Sequence, residues 1–187
     1  MVQVADEASL IERVAAGEVA AVRVLLARYQ ARVFRFVLRL IGIPAVAEEI
    51  TNEVFLEAWK NAGNYKGSGS VATWLLAIAH HRAVSSLRKT REEGWNDERA
   101  AALADPSDDP EVGAQKADKK TILRRCIDAL SPEHKGIIDL VYYHELSIGE
   151  VGEILKIPEG TVKTRMFHAR KRLSALLREA GVDRGWP

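Results

Sequence analysis

The stretch Ser147–Leu177, SIGEVGEILKIPEGTVKTRMFHARKRLSALL, constrains this chain more than any other. Two helices joined by a tight turn satisfy every signal in it. Ser147 followed by Glu150 is a capping box, which predicts a helix start there. Ile148, Val151 and Leu155 give that helix one apolar stripe. Gly152 lies inside it at a cost of about 1 kcal/mol against alanine, which close approach of a second helix would justify. Pro158 is expected to stop the first helix and open the next.

The second helix divides by face. Val162, Met166, Ala169, Leu173 and Leu176 recur at helical spacing and are expected to pack inward. Lys163, Thr164, Phe167, His168 and Lys171 fall on the opposite side, flanked by Arg165, Arg170 and Arg172. Between Thr161 and Arg172 there are five basic residues and no acid. A solvated basic face would explain the charge alone, but an aromatic at its centre needs a partner. A helix-turn-helix whose second helix enters a DNA major groove supplies one. Thymine methyls suit Phe167, base edges suit Lys163, Thr164 and His168, and phosphates suit the arginines.

The rest of the chain reads as helix throughout, without strand alternation or internal repeat, so the fold class is all-α. Residues 6–17 form a short helix, with Gly17 just past its end. From Glu18 to Ile41 the stripe is Val22, Leu25, Leu26, Tyr29, Val33, Phe36, Val37 and Leu40. Pro44 opens a third helix reaching about Ala62, with Ile50, Val54 and Ala58 on one face and Phe55 and Trp59 beside it. Glu49, Glu53 and Glu57 stack at four-residue intervals, a repulsive arrangement. It reads equally as a solvated acidic face or as a docking strip for a basic partner. Asn61–Ser70 is a Gly-rich loop carrying Tyr65, and Val71–Lys89 returns to helix with Trp74, Leu75, Ile78 and Val84 at core or half-core positions. His80, His81, Arg82, Arg88, Lys89 and Arg91 make its later part basic. An aromatic loop beside a cationic helix is what single-stranded DNA requires, although Trp74 reads equally as core.

Charge settles the organisation. The net charge of +1 conceals a balance of +4 over residues 1–91, −7 over 92–118 and +4 over 119–187. Residues 92–118, with their DPSDDP run, read as a flexible acidic linker with a possible Ala-rich turn of helix at 98–104. A four-helix unit follows: Thr121–Ala129, a helix capped by Ser131 and running through Tyr143, and the helix-turn-helix. No apolar run approaches the roughly 20 residues of a membrane span, and no secretory signal is visible at the N-terminus. The single cysteine, Cys126, has no partner for a disulfide and reads as a small core residue in a cytoplasmic protein. His80 and His81 are adjacent and so point apart, a poor metal geometry, and His144-Glu145 has no matching partner in sequence. No phosphate-cradling, zinc-binding or nucleophile motif is present, so no cofactor, metal or catalysis is expected.

The order of EEITNEVFLEAWKN, TWLLAIAHHRAVSSLRK, an acidic linker and LSPEHKGIIDLVYYHELSIGEVGEIL…PEGTVKTRMFHARKRL resembles the extracytoplasmic-function (ECF) sigma factors of bacteria over essentially the whole chain. The resemblance implies a region 2-like domain in 1–91, a linker in 92–118 and a region 4-like domain in 119–187. Region 2 would bind the clamp helices of the largest subunit of core RNA polymerase and melt the minus-10 element. Region 4 would read the minus-35 element of promoter DNA and dock on the flap. By position, Glu49, Asn52, Glu53, Phe55 and Glu57 fall in the polymerase-binding helix. Tyr65, Lys66, Ser68, Ser70, Trp74, His81, Arg82 and Arg88 fall to minus-10 DNA, and Lys163, Thr164, Arg165, Phe167, His168, Arg170 and Lys171 to minus-35 DNA. The family usually carries Asp and Gln where this chain has Glu49 and Asn52, and often an acid where it has Ser68-Gly69, which affects the captured base. An anti-sigma factor is the further partner implied, and no membrane insertion is expected. A stand-alone helix-turn-helix regulator acting as a dimer on two-fold symmetric sites is the competing reading.

Overall fold

The computed structural model describes residues 2–67, 69–92 and 114–182, and among them every regular element is helical. The chain divides into two compact units, residues 1–103 with 153–156 and residues 104–152 with 157–187. Residues 93–113 of the acidic linker, with the expected turn of helix at 98–104, and Ser68 lie outside the described residues. No helix among the described residues is long and apolar enough to cross a membrane.

The first unit holds α1 (Val2–Ala15), α2 (Val19–Ile41), α3 (Pro44–Asn61) and α4 (Val71–Glu92), with a 3₁₀ turn at Ala62–Asn64. Gly17 and Gly42 end α1 and α2 in the left-handed region, at φ 80° and 77°, a conformation glycine adopts without a Cβ penalty. The α2 stripe is buried at Leu25, Tyr29, Val33, Phe36, Val37 and Leu40, while Val22 and Leu26 are half-buried and Ala21 takes their place. From α3, Ile50, Val54 and Ala58 enter the core as expected, together with Phe55. The core face of α4 differs from the expected one. Leu75 is buried, but Trp74 and Ile78 are half-buried and Val84 is exposed, whereas Val71, Leu76, Ala79 and Ala83 are enclosed. The cause is that α2 and α3 both pack on α4, and alanines admit two neighbours more closely than larger side chains do.

Glu7 of α1 joins three elements. One carboxylate oxygen accepts the Tyr29 hydroxyl of α2 at 2.6 Å and the other accepts the Val71 amide at 3.2 Å, at the start of α4. An anion there meets the unpaired amides of the helix N-terminus.

The second unit holds α5 (Ala114–Asp128), α6 (Pro132–Ile138), most of α7 (Ile148–Leu155) and α8 (Glu159–Glu179). Ser131 caps α6, its hydroxyl accepting the His134 amide at 3.4 Å. The expected continuation of α6 through Tyr143 is instead a π turn, Asp139–Tyr143, closed by the His144 amide on the Asp139 carbonyl at 3.2 Å. Asp139 and His144 are both buried, with carboxylate and imidazole 3.1 Å apart. The two lie five residues apart, brought together by a π-turn register that helical spacing conceals.

The capping box forms: the Ser147 amide donates to Glu150 Oε2 at 2.9 Å and the Glu150 amide to Ser147 Oγ at 3.3 Å. Of the α7 stripe, Val151 is buried and Ile148 and Leu155 are half-buried, and Ile154 is buried beside them in sequence. Pro158 does not stop α7. Lys156 does, at φ 53°, with the Ile157 amide reaching back to the Gly152 carbonyl at 3.0 Å in a Schellman arrangement. Pro158 instead caps α8. A Cβ on Gly152 would lie 2.9 Å from the Ile157 carbonyl oxygen, so the glycine admits the backbone of the turn, where helix against helix was expected.

Candidate nucleic-acid interface

Helix α8 is seated by Val162, Met166 and Ala169, all buried, with Leu173 and Leu176 half-buried. That seating turns Lys163, Thr164, Phe167, His168, Arg170 and Lys171 outward and leaves Arg165 half-exposed. Phe167 is 64% exposed. Burying a phenylalanine is worth about 1.5–3 kcal/mol, so a protein that leaves one in water amid five cations forgoes a large gain. Its ring meets that of His168 edge-on, centroids 5.5 Å apart, a contact too small to shield it. The Thr164 hydroxyl donates to the Gly160 carbonyl at 3.0 Å, which commits the hydroxyl and leaves the methyl as the free surface. Lys163 lies 4.0 Å from Glu159, with both side chains well exposed, a pair worth little in water. Arg170 sits over the Tyr142 ring, 5.6 Å from its centroid.

In the first unit the loop before α4 is compact. The Tyr65 hydroxyl donates to the Gly69 carbonyl at 2.5 Å, and its ring lies 5.1 Å from that of Trp74. Partial burial, with the Glu7 charge adding, raises the Tyr65 pKa and keeps the phenol neutral. Lys66, His81 and Arg88 are exposed, Arg88 with a long 3.8 Å pair to Glu92. Ser70 is committed otherwise: its hydroxyl accepts the Thr73 amide at 3.1 Å and so caps α4.

Arg82 brings together two sets that the sequence kept apart. Its Nε donates to Glu57 Oε2 at 2.7 Å, and its Nη1 to Glu53 Oε2 at 3.2 Å. The Glu57 hydrogen bond, ahead of the charges of both glutamates, raises the guanidinium's pKa. The acid stack on α3 is thus partly neutralised from α4 instead of waiting wholly for an external cation. Glu49, Asn52 and Glu53 are exposed and Glu57 is half-buried. Phe55 must be removed from the partner-facing set, because it is 7% exposed and belongs to the core between α3 and its neighbours. In its place Leu56 and Trp59, each 48% exposed, continue from Asn52 along one outward stripe. Their spacing of four and then three residues from Asn52 is a second helical stripe that the core stripe overshadowed in the sequence.

Two family models match: Sigma-70 region 2 over residues 25–93, and Sigma-70, region 4 over residues 126–175. The ECF RNA polymerase sigma factor SigK of Mycolicibacterium vanbaalenii is 31% identical over 177 residues, which is 93% of this chain and 89% of the relative. SigK of Mycobacterium tuberculosis strain H37Rv is 33% identical over 171 residues, 90% of this chain and 91% of its own. Among solved structures, the fold is similar to the sigma factor RpoE crystallised with the anti-sigma factor NepR from Bartonella quintana. That match has a TM-score of 0.67 at 22% identity and covers 87% of this chain and 98% of the other. CnrH in complex with the cytosolic domain of CnrY gives 0.66 at 19% identity, covering 92% and 97%.

Proposed function

The chain belongs to the ECF RNA polymerase sigma factors, and from that premise we propose how its residues divide the work of an alternative sigma factor. Such a protein directs core polymerase to particular promoters and lends it the means to open them. It carries out no reaction of its own, and it acts in the cytoplasm, where polymerase and promoter are.

Helix α8 reads minus-35 DNA. Phe167 packs on thymine methyls, Lys163 and His168 meet base edges, and Thr164 offers its methyl. Arg165, Arg170 and Lys171 hold phosphates and fix the register. In the first unit Tyr65 and Trp74 form an aromatic step for an extruded base, with Lys66, Ser68, His81 and Arg88 along the cationic track. Glu49, Asn52 and Glu53, extended by Leu56 and Trp59, face the polymerase clamp. Residues 1–91 and 119–187 act as separate modules, and the acidic residues 92–118 form a tether that a nucleic-acid channel of polymerase can accept. An anti-sigma factor is the expected antagonist; the sigma factor RpoE, of similar fold, was solved in complex with the anti-sigma factor NepR.

The observation that carries this reading is Phe167, 64% exposed on the outer face of the second helix of a helix-turn-helix. The test is transcription by purified core polymerase with and without this chain on a genomic promoter library. Transcripts that start only when the chain is present support the reading, and an active core that gains none overturns it. On a promoter found this way, Phe167→Ala and Lys163→Ala should each lower discrimination among minus-35 sequences by about 1–3 kcal/mol. Equal losses on every sequence would contradict the base-reading role.

A further inference from the structure

Tyr142 closes on the reading helix from outside it. It lies in the π turn after α6 and is 54% exposed. The Arg170 guanidinium sits 5.6 Å from its ring centroid. A π turn carries one more residue than an α turn of the same rise, so the side chains beyond it are rotated from where an α-helix would send them. No carboxylate among the described residues lies within ion-pair distance of Arg170. Among the described residues the arginine is therefore held by an aromatic face and not by an opposite charge.

That choice of partner has a chemical consequence. A carboxylate would restrain the guanidinium and cancel its attraction for a phosphate. An aromatic face restrains it through the ring quadrupole and leaves the positive charge intact. The planar fork of N–H donors stays free to engage phosphate oxygens while the side chain has already lost part of its rotamer freedom. We propose that Tyr142 is a positioning residue for duplex DNA: its ring pre-orients Arg170 toward a backbone phosphate of the minus-35 element. The proposal rests on the assignment of α8 to duplex DNA and extends the DNA-binding apparatus beyond the helix-turn-helix.

A phosphate contact is independent of sequence, so the probe is a fluorescein-labelled duplex of arbitrary sequence, titrated with the full chain by anisotropy over a series of salt concentrations. Tyr142→Ala should weaken binding about two- to fivefold, the value of an exposed cation–π contact. It should also flatten the salt dependence toward that of Arg170→Ala, which loses up to about one unit of slope. Tyr142→Phe, which keeps the ring, should bind as the parent does. In an Arg170→Ala background, Tyr142→Ala should cost nothing further. Tyr142→Ala binding as tightly as the parent overturns the proposal. So does a Phe variant as weak as the Ala variant, or an undiminished cost in the Arg170→Ala background. Should Arg170→Ala itself leave affinity and salt slope unchanged, the placement of α8 on duplex DNA fails first, a result distinct from failure of Tyr142 alone. Tyr142 is more than half exposed, so its truncation leaves the core of the unit in place.

Discussion

Single residues carry two kinds of information here, and only one is open to sequence. Phe167 was legible because its anomaly is local: an aromatic among cations, on the face opposite Val162 and Met166. Glu7 was not. Nothing near it in the chain hints that its carboxylate reaches Tyr29 and the amide of Val71, which lie 22 and 64 residues on. The consequence is testable through pH. Burial first, then the hydrogen bond and charge of Glu7, raise the Tyr29 pKa well above its ordinary 10.0. A phenol whose folded pKa is raised contributes stability that is fully present below pH 10.0 and is lost as pH climbs above that value, where the unfolded chain ionises first. Thermal unfolding above pH 10 should therefore show stability falling by up to about 1.4 kcal/mol per pH unit from this group. Tyr29→Phe should remove that component of the slope. Parallel pH profiles for the two proteins would contradict the assignment.

At the scale of elements, the periodicities gave α2, α3 and the helix-turn-helix nearly to the residue, since each has a cap or a breaker at its ends. Two things escaped them. The π turn at Asp139–Tyr143 changes register where the pattern has no means to say so. The core face of α4 was set by the two helices packed on it, a property of their positions and not of its own sequence. The acid stack of α3 belongs here too. Read alone, Glu49, Glu53 and Glu57 repel; folded, the last two share Arg82 of α4. The side chains of Arg82 and Glu53 are 39% and 46% exposed, so solvent screens the contact. A double-mutant cycle with Arg82→Ala and Glu57→Gln should give a coupling of about 0.5–1 kcal/mol in chemical denaturation, shrinking as salt is raised. Zero coupling at low salt would reduce the triad to a surface coincidence.

For the whole molecule, the charge segmentation points to two basic blocks on an acidic tether, a reading that rests on sums over long stretches and so survives errors in any one helix. What it could not announce is which outward residues serve which partner. Substitutions on different helices with no shared partner should add. On α3, Trp59 is the largest exposed apolar side chain beside the acids, and aromatics in such settings dominate binding energies. Trp59→Ala should weaken assembly with core polymerase by about 1–2 kcal/mol and leave affinity for isolated duplex DNA unchanged. Phe167→Ala should do the reverse, impairing sequence choice on duplex DNA while assembling with polymerase normally. Combined, the two losses should add in promoter-dependent transcription when measured at subsaturating polymerase. A Trp59→Ala variant that binds core as the parent does would return the α3 stripe to ordinary solvent-facing surface, whereas strong non-additivity would mean that the two units do not act independently.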